Sequence, residues 1–126
     1  MGSYKDLFAY KKAYELAMEI FRITKDFPKE EKYSMADQIR RSSRSVCANL
    51  AEAFRRIPYK GHFISKLHDC LSENAETGVW IEFSRDCGYI KAETCEKLLL
   101  LNEEVGRLIS FMISNPEKFR GATTNY

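Results

Sequence analysis

Three prolines in a chain of 126 residues decide most of what it can fold into. Pro28, Pro58 and Pro116 each stand where a long helical pattern stops, and Gly88 marks a fourth break. A proline lacks the N–H that a helix interior needs and pushes the residue before it out of the helical region. This punctuation leaves four segments, each long enough for several helical turns. None shows sustained strand-type alternation bounded by turn signals.

The first segment predicts a helix over about Asp6 to Asp26, with Ala13, Leu16, Ile20, Ile23 and Phe27 on one face. The second predicts a helix from Lys32 to Ile57, whose stripe is Met35, Ile39, Val46, Leu50, Phe54 and Ile57. The third begins near Tyr59 and ends at Asp86-Cys87-Gly88, where Gly88 suits the left-handed cap position. Its core face reads Phe63, Ile64, Leu67, Cys70, Leu71, Ala75 and Ile81, with the polar or small residues Asn74, Gly78 and Glu82 on or near the stripe. Ser65 and Ser84 read as surface residues. The fourth covers Ala92 to Ser114, with Leu98, Leu101, Val105, Leu108, Ile109 and Met112 inward. Such steps of three and four residues are the mark of amphipathic helices.

Four helices with short connections predict an all-α, antiparallel up-down-up-down four-helix bundle over residues 1–114, each helix roughly 30–40 Å long. Residues 115–126 read as a flexible tail. A monomeric bundle needs one apolar stripe per helix. Further apolar residues recur at helical spacing beside the stripes: Tyr10, Tyr14, Ala17 and Phe21 on the first helix, Val79, Phe83 and Cys87 on the third, and Leu100 and Phe111 on the fourth. Isolated exposed aromatics are ordinary on surfaces. Repetition at helical spacing instead predicts a homo-oligomer interface, with Tyr10, Tyr14, Phe21, Val79, Phe83 and Phe111 as its residues.

Charge is distributed unevenly. Residues 40–60 hold six basic residues, Arg40, Arg41, Arg44, Arg55, Arg56 and Lys60, against one acid, Glu52. That is +5 within a chain of net +2, so the remainder sums to −3. Charge runs are commonly solvated helix faces. Here arginine dominates, and its planar fork donates two parallel hydrogen bonds to phosphate oxygens. With acid nearly excluded, charge pairing is expected to be missing. All six side chains are therefore candidate nucleic-acid-binding residues, reading backbone and shape because no base-reading motif appears.

Enzyme chemistry finds little footing. A di-iron bundle needs Glu-x-x-His pairs, whereas Tyr59 and Ser65 occupy the positions three before His62 and His68. The six glycines are isolated, so no phosphate-cradling loop exists, and no serine sits in a nucleophile elbow. Cys47, Cys70, Cys87 and Cys95 form no Cys-x-x-Cys pair and read as reduced core residues. No catalytic residue, metal or cofactor is expected. The N-terminus lacks an export signal, and no apolar run reaches the roughly 20 residues of a membrane span, so a cytoplasmic location without membrane contact is expected.

Ala13-Tyr14-Glu15-Leu16, the turn Phe27-Pro28-Lys29-Glu30-Glu31-Lys32-Tyr33, Gln38-Ile39-Arg40-Arg41-Ser42 followed by Asn49-Leu50-Ala51-Glu52, and Asp86-Cys87-Gly88-Tyr89-Ile90 together carry a resemblance. Over residues 5 to 113 the chain resembles the bacterial four-helix-bundle proteins encoded within 23S ribosomal RNA intervening sequences. The resemblance implies a homopentameric ring with a basic surface. It also implies kinship with the accessory variability determinants of diversity-generating retroelements, which bind nucleic acid and a reverse transcriptase. Three roles fit the residues: an oligomeric RNA- or DNA-binding bundle, an adaptor such as an accessory subunit of a reverse transcriptase, or a structural bundle whose arginines pair internally.

Overall fold

The computed structural model describes residues 2–124, with side chains through Gly121. Met1, Asn125 and Tyr126 lie outside the described residues, including the end of the expected tail. The described chain is an all-α helical bundle: α1 (Phe8–Thr24), α2 (Met35–Arg55), α3 (Lys60–Asp86), α4 (Ala92–Ser114) and a short α5 (Glu117–Thr124), without strands. Short 3-10 turns at Tyr4–Asp6 and Lys29–Glu31 precede α1 and α2.

Helix ends follow local chemistry. α3 closes with a Schellman motif: the Tyr89 amide donates to the Ser84 carbonyl and the Gly88 amide to the Arg85 carbonyl. Gly88 takes φ +78°, the left-handed conformation that a Cβ disfavours. α1 stops earlier than its apolar pattern, at Thr24, whose hydroxyl turns back onto the Ile20 carbonyl at 2.8 Å. α2 starts later than expected, at Met35. Its cap comes from the preceding turn rather than from Ser34: Glu31 Oε1 accepts from the Met35 amide at 3.2 Å.

α2 and α3 lie side by side and run in opposite directions. Ser42 meets Thr77, the Val46 carbonyl meets Cys70, and Asn49 meets Lys66. α1 packs on α2 and α4, and α3 also packs on α4. The interior has two main apolar clusters. One gathers Ala13, Val46, Leu50, Phe63, Leu67, Val105 and Ile109, and the other Leu16, Ile20, Ile39, Ile81, Cys95 and Leu98. Along α2, α3 and α4 the positions between these clusters are polar: Ser42, Ser43, Asn74, Thr77 and Asn102. Asn74 Nδ2 donates to the Asn102 carbonyl at 2.9 Å, while Asn102 Nδ2 donates to the Asn74 carbonyl at 2.8 Å and to its Oδ1 at 3.0 Å. Buried polar groups satisfied in this reciprocal way fix one axial register for two helices.

The buried surface of α3 departs from the stripe expected of it. Asn74 and Gly78 are buried, as their place on the stripe implied, but so are Thr77 and Ser84, whereas Ala75 is exposed and Glu82 faces solvent. Ser84 is covered because its hydroxyl is satisfied internally, donating to the Trp80 carbonyl at 2.8 Å beside Met35 Sδ. Ala17, assigned to an outer seam, is buried in the chain's own core. Of the cysteines, Cys70 and Cys95 are buried, Cys47 is half-buried and Cys87 is exposed, so the core reading fails for Cys87. Burial pushes the Cys47 thiol up to about 11 and Cys70 to about 12, so both stay protonated near neutral pH. The tail also departs from expectation. Glu117–Thr124 is helical, Phe119 packs against the core, and Arg120 Nε donates to the Ile57 carbonyl at 2.8 Å. These anchors tie α5 to the end of α2.

One tie joins the α1–α2 elbow to the α3–α4 turn: the Tyr89 hydroxyl donates to Glu31 Oε2 at 2.7 Å. This bond, followed by that from the Met35 amide, lowers the Glu31 pKa below the ordinary carboxylate value. A carboxyl depressed in the folded state contributes stability above its unfolded pKa, and that contribution is lost as pH falls through the folded value. Tyr89→Phe is therefore expected to lower the thermal midpoint at about pH 7 more than at about pH 3. Melting curves for both proteins at the two pH values check this, and an equal drop at both would refute the tie.

Candidate nucleic-acid interface

The six expected cations fall into two groups along α2. Arg40, Arg41 and Arg44 border a groove of about 520 Å³ that Lys32, Tyr33, Asp37 and Ser45 also line. Arg55 and Arg56 end the helix, and Lys60 opens α3. Arg44 and Arg55 are eleven residues apart, which at 3.6 residues per turn returns to nearly the same face about 16 Å further along the axis.

Their environments differ sharply. Arg41 is not free: Nη1 lies 3.3 Å from Glu73 Oε2 and Nη2 lies 2.7 Å from Glu76 Oε2, both on α3. Attraction to Glu73 is the chief cause raising its pKa. Lys60 sits 3.6 Å from Glu117. Charge pairing, expected to be absent, thus engages two of the six. The carboxylates come from α3 and α5, out of reach of any reading of α2 alone. Arg40 is half-buried and held by its Nε, which donates to Thr24 Oγ1 at 2.7 Å. Its guanidinium carbon lies 5.1 Å from the Phe21 ring centroid.

Arg44, Arg55 and Arg56 are exposed. Among the described residues, no carboxylate lies within ion-pair distance of them. Glu52, the one acid of the stretch, is occupied by Lys66 Nζ at 2.9 Å. Arg44 lies 5.9 Å from the Phe21 ring, which Lys25 also approaches at 4.6 Å. Phe21 is therefore half-covered by cations of its own chain. Tyr10 is likewise engaged internally, against Tyr4 and the core. The other four expected interface residues remain about half-exposed, Tyr14, Val79, Phe83 and Phe111, and the exposed Phe8 and Leu100 join them.

The charge count over residues 40–60 left out Lys32 and Tyr33, which line the groove, and Lys25 and Lys29 in the adjoining hollow beside Arg40. The available signal was the alternation of lysines with an aromatic through the linker, and Asp26, Glu30 and Glu31 obscured it. Among the described residues no group of three or more His, Cys, Asp or Glu side chains could hold a metal ion. No helix there is long and apolar enough to cross a membrane.

Residues 5–111 match the family described as 23S rRNA-intervening sequence protein. The chain belongs to this family. A crystal structure of a protein of unknown function from the S23 ribosomal protein family of Bacteroides thetaiotaomicron VPI-5482 is similar to it, at 32% identity. The match covers 87% of this chain and 98% of that one, with a TM-score of 0.78. Among curated proteins, none matches the chain.

Proposed function

We propose that this member of the intervening-sequence family is a non-enzymatic protein that binds RNA or DNA through phosphate contacts made by α2. The observation that carries the reading is the set of exposed arginines, Arg44, Arg55 and Arg56, with no carboxylate at ion-pair distance among the described residues. Guanidinium groups held along one rigid helix suit the regular spacing of a nucleic-acid backbone. Wild-type protein is expected to bind a structured RNA or a DNA duplex with affinity that falls steeply as salt rises. Affinity indifferent to salt would overturn the phosphate account.

The assembly belongs to the same proposal: an antiparallel up-down-up-down bundle that closes into a homopentameric ring, repeating the basic face around it. Opposed α2 and α3 and the contacts of α1 with α2 and α4 support the bundle. Half-exposed Tyr14, Val79, Phe83 and Phe111 support burial against another copy, which would raise the local field by repetition. Light scattering on a sizing column is expected to give a mass near five chains. A monomer at every concentration would refute the ring.

A further inference from the structure

Among the described residues Tyr33 is the most exposed of the large hydrophobic side chains, at 85%. It stands immediately before α2, on the rim of the groove that Arg40, Arg41 and Arg44 border. Lys32 Nζ approaches its ring to 5.3 Å from the centroid. Apart from Lys32 the ring is open to solvent, and an exposed ring bordered by cations is what an unstacked nucleobase packs on.

Two of the groove's arginines converge: the guanidinium carbons of Arg40 and Arg44 lie 5.1 and 5.9 Å from the same Phe21 ring centroid. Arg40 cannot swing freely, because its Nε is bonded to Thr24 Oγ1 and its plane lies near Phe21. Its two terminal nitrogens keep their donors for another partner. Arg44, one turn on, is unpaired by any carboxylate among the described residues. Arg41 is committed to Glu73 and Glu76, so it borders the site without supplying a free charge. Asp37 is the single carboxylate on the lining. It would repel a phosphate but can accept from the exocyclic amine of a base, as carboxylates do toward cytosine N4. A volume of about 520 Å³ falls in the range that takes one small organic ligand.

We propose that this groove binds a single unpaired nucleotide, with the base stacked on Tyr33 and the phosphate held by Arg40 and Arg44. The ligand class is therefore single-stranded nucleic acid or an unpaired loop, because bases in a duplex have no free face to offer. The inference rests on the phosphate-binding reading of α2 and adds to it a preference that phosphate contacts alone would not create.

The test uses a short fluorescein-labelled oligoadenylate and the same strand annealed to its complement, each titrated with the full-length protein at low and moderate salt. Tyr33→Ala is expected to weaken single-strand binding roughly 5- to 100-fold while changing duplex binding less than about twofold, and Tyr33→Phe is expected to bind like wild type. Because Tyr33 is exposed, helicity by circular dichroism should be unchanged in both variants. Equal single-strand affinity in wild type and Tyr33→Ala, with salt-dependent binding retained, would overturn the stacking site and leave the phosphate reading standing. Wild-type protein that binds neither probe at low salt would overturn both.

Discussion

Changing Arg44, Arg55 and Arg56 together to glutamate is expected to weaken binding of structured RNA roughly a hundredfold at moderate salt. The slope of log affinity against log salt should flatten by about two to three, the equivalent of three lost phosphate contacts. Helicity should be retained, at a cost of about 1–2 kcal/mol for two acids at the C-terminal end of α2. The three side chains are exposed, have no ion pair to lose among the described residues, and lie off the buried stripe. The choice of residues matters. A reversal of Arg40, Arg41 and Arg44, the densest cluster in sequence, would remove the Thr24 bond and set a new carboxylate against Glu73 and Glu76. Lost binding in that variant would confound recognition with damage to the α1–α2 and α2–α3 contacts. Salt-titrated fluorescence anisotropy on the Arg44, Arg55 and Arg56 variant separates the two. Wild-type affinity and slope in it would place the binding surface elsewhere.

The largest expected loss of stability comes from the polar layer. Asn74→Leu should cost about 2–4 kcal/mol, because it leaves the half-buried Asn102 amide without its partners and puts an apolar side chain against α4. For a chain of this size that corresponds to a fall in melting temperature of about 8–15 °C. Gly78 belongs to the same unit. A Cβ there would come within 2.8 Å of Asn102 Oδ1, and Gly106 likewise leaves room beside Asn74 Nδ2 at 3.4 Å. A glycine inside α3 costs about 1 kcal/mol relative to alanine by propensity. Here the missing side chain is the space that the Asn102 amide fills. Replacing both Asn74 and Asn102 with leucine is expected to recover part of the loss, since no buried donor is then left unpaired. Urea and thermal denaturation followed by circular dichroism measure these differences. An Asn74→Leu midpoint equal to wild type would show that the layer contributes nothing to stability.

The boundaries of α3 and α4 were readable from Pro58, Gly88 and Pro116, because breakers act through local backbone geometry. The core stripe of α2 was nearly as clear. α3 was harder. Periodicity put Asn74 on the stripe, but it also pointed to Ala75, which is exposed, and passed over Thr77 and Ser84, which are buried. Hydrophobicity scores a polar residue as outward, yet a buried partner reverses that preference. The helical stretch from Glu117 was hidden for a related reason: its anchors, Phe119 on the core and Arg120 on Ile57, are distant in sequence from what they touch.

The basic stretch illustrates the same division. Its position, its arginine content and its placement opposite an apolar stripe follow from residues 38–60 alone, since helical spacing is a property of the chain itself. Which cations remain available is another matter. Glu73 and Glu76 take Arg41, Thr24 fixes Arg40, and Glu117 approaches Lys60, while Arg44, Arg55 and Arg56 keep their donors. Tyr33 borders the groove from the turn just before α2. By itself the sequence determined the helices and the charge that α2 carries, because propensity, breakers and periodicity are local. Only the tertiary structure decided which charges are spent inside the fold and which face outward, because carboxylates 32 and 35 residues from Arg41 act through space rather than along the chain.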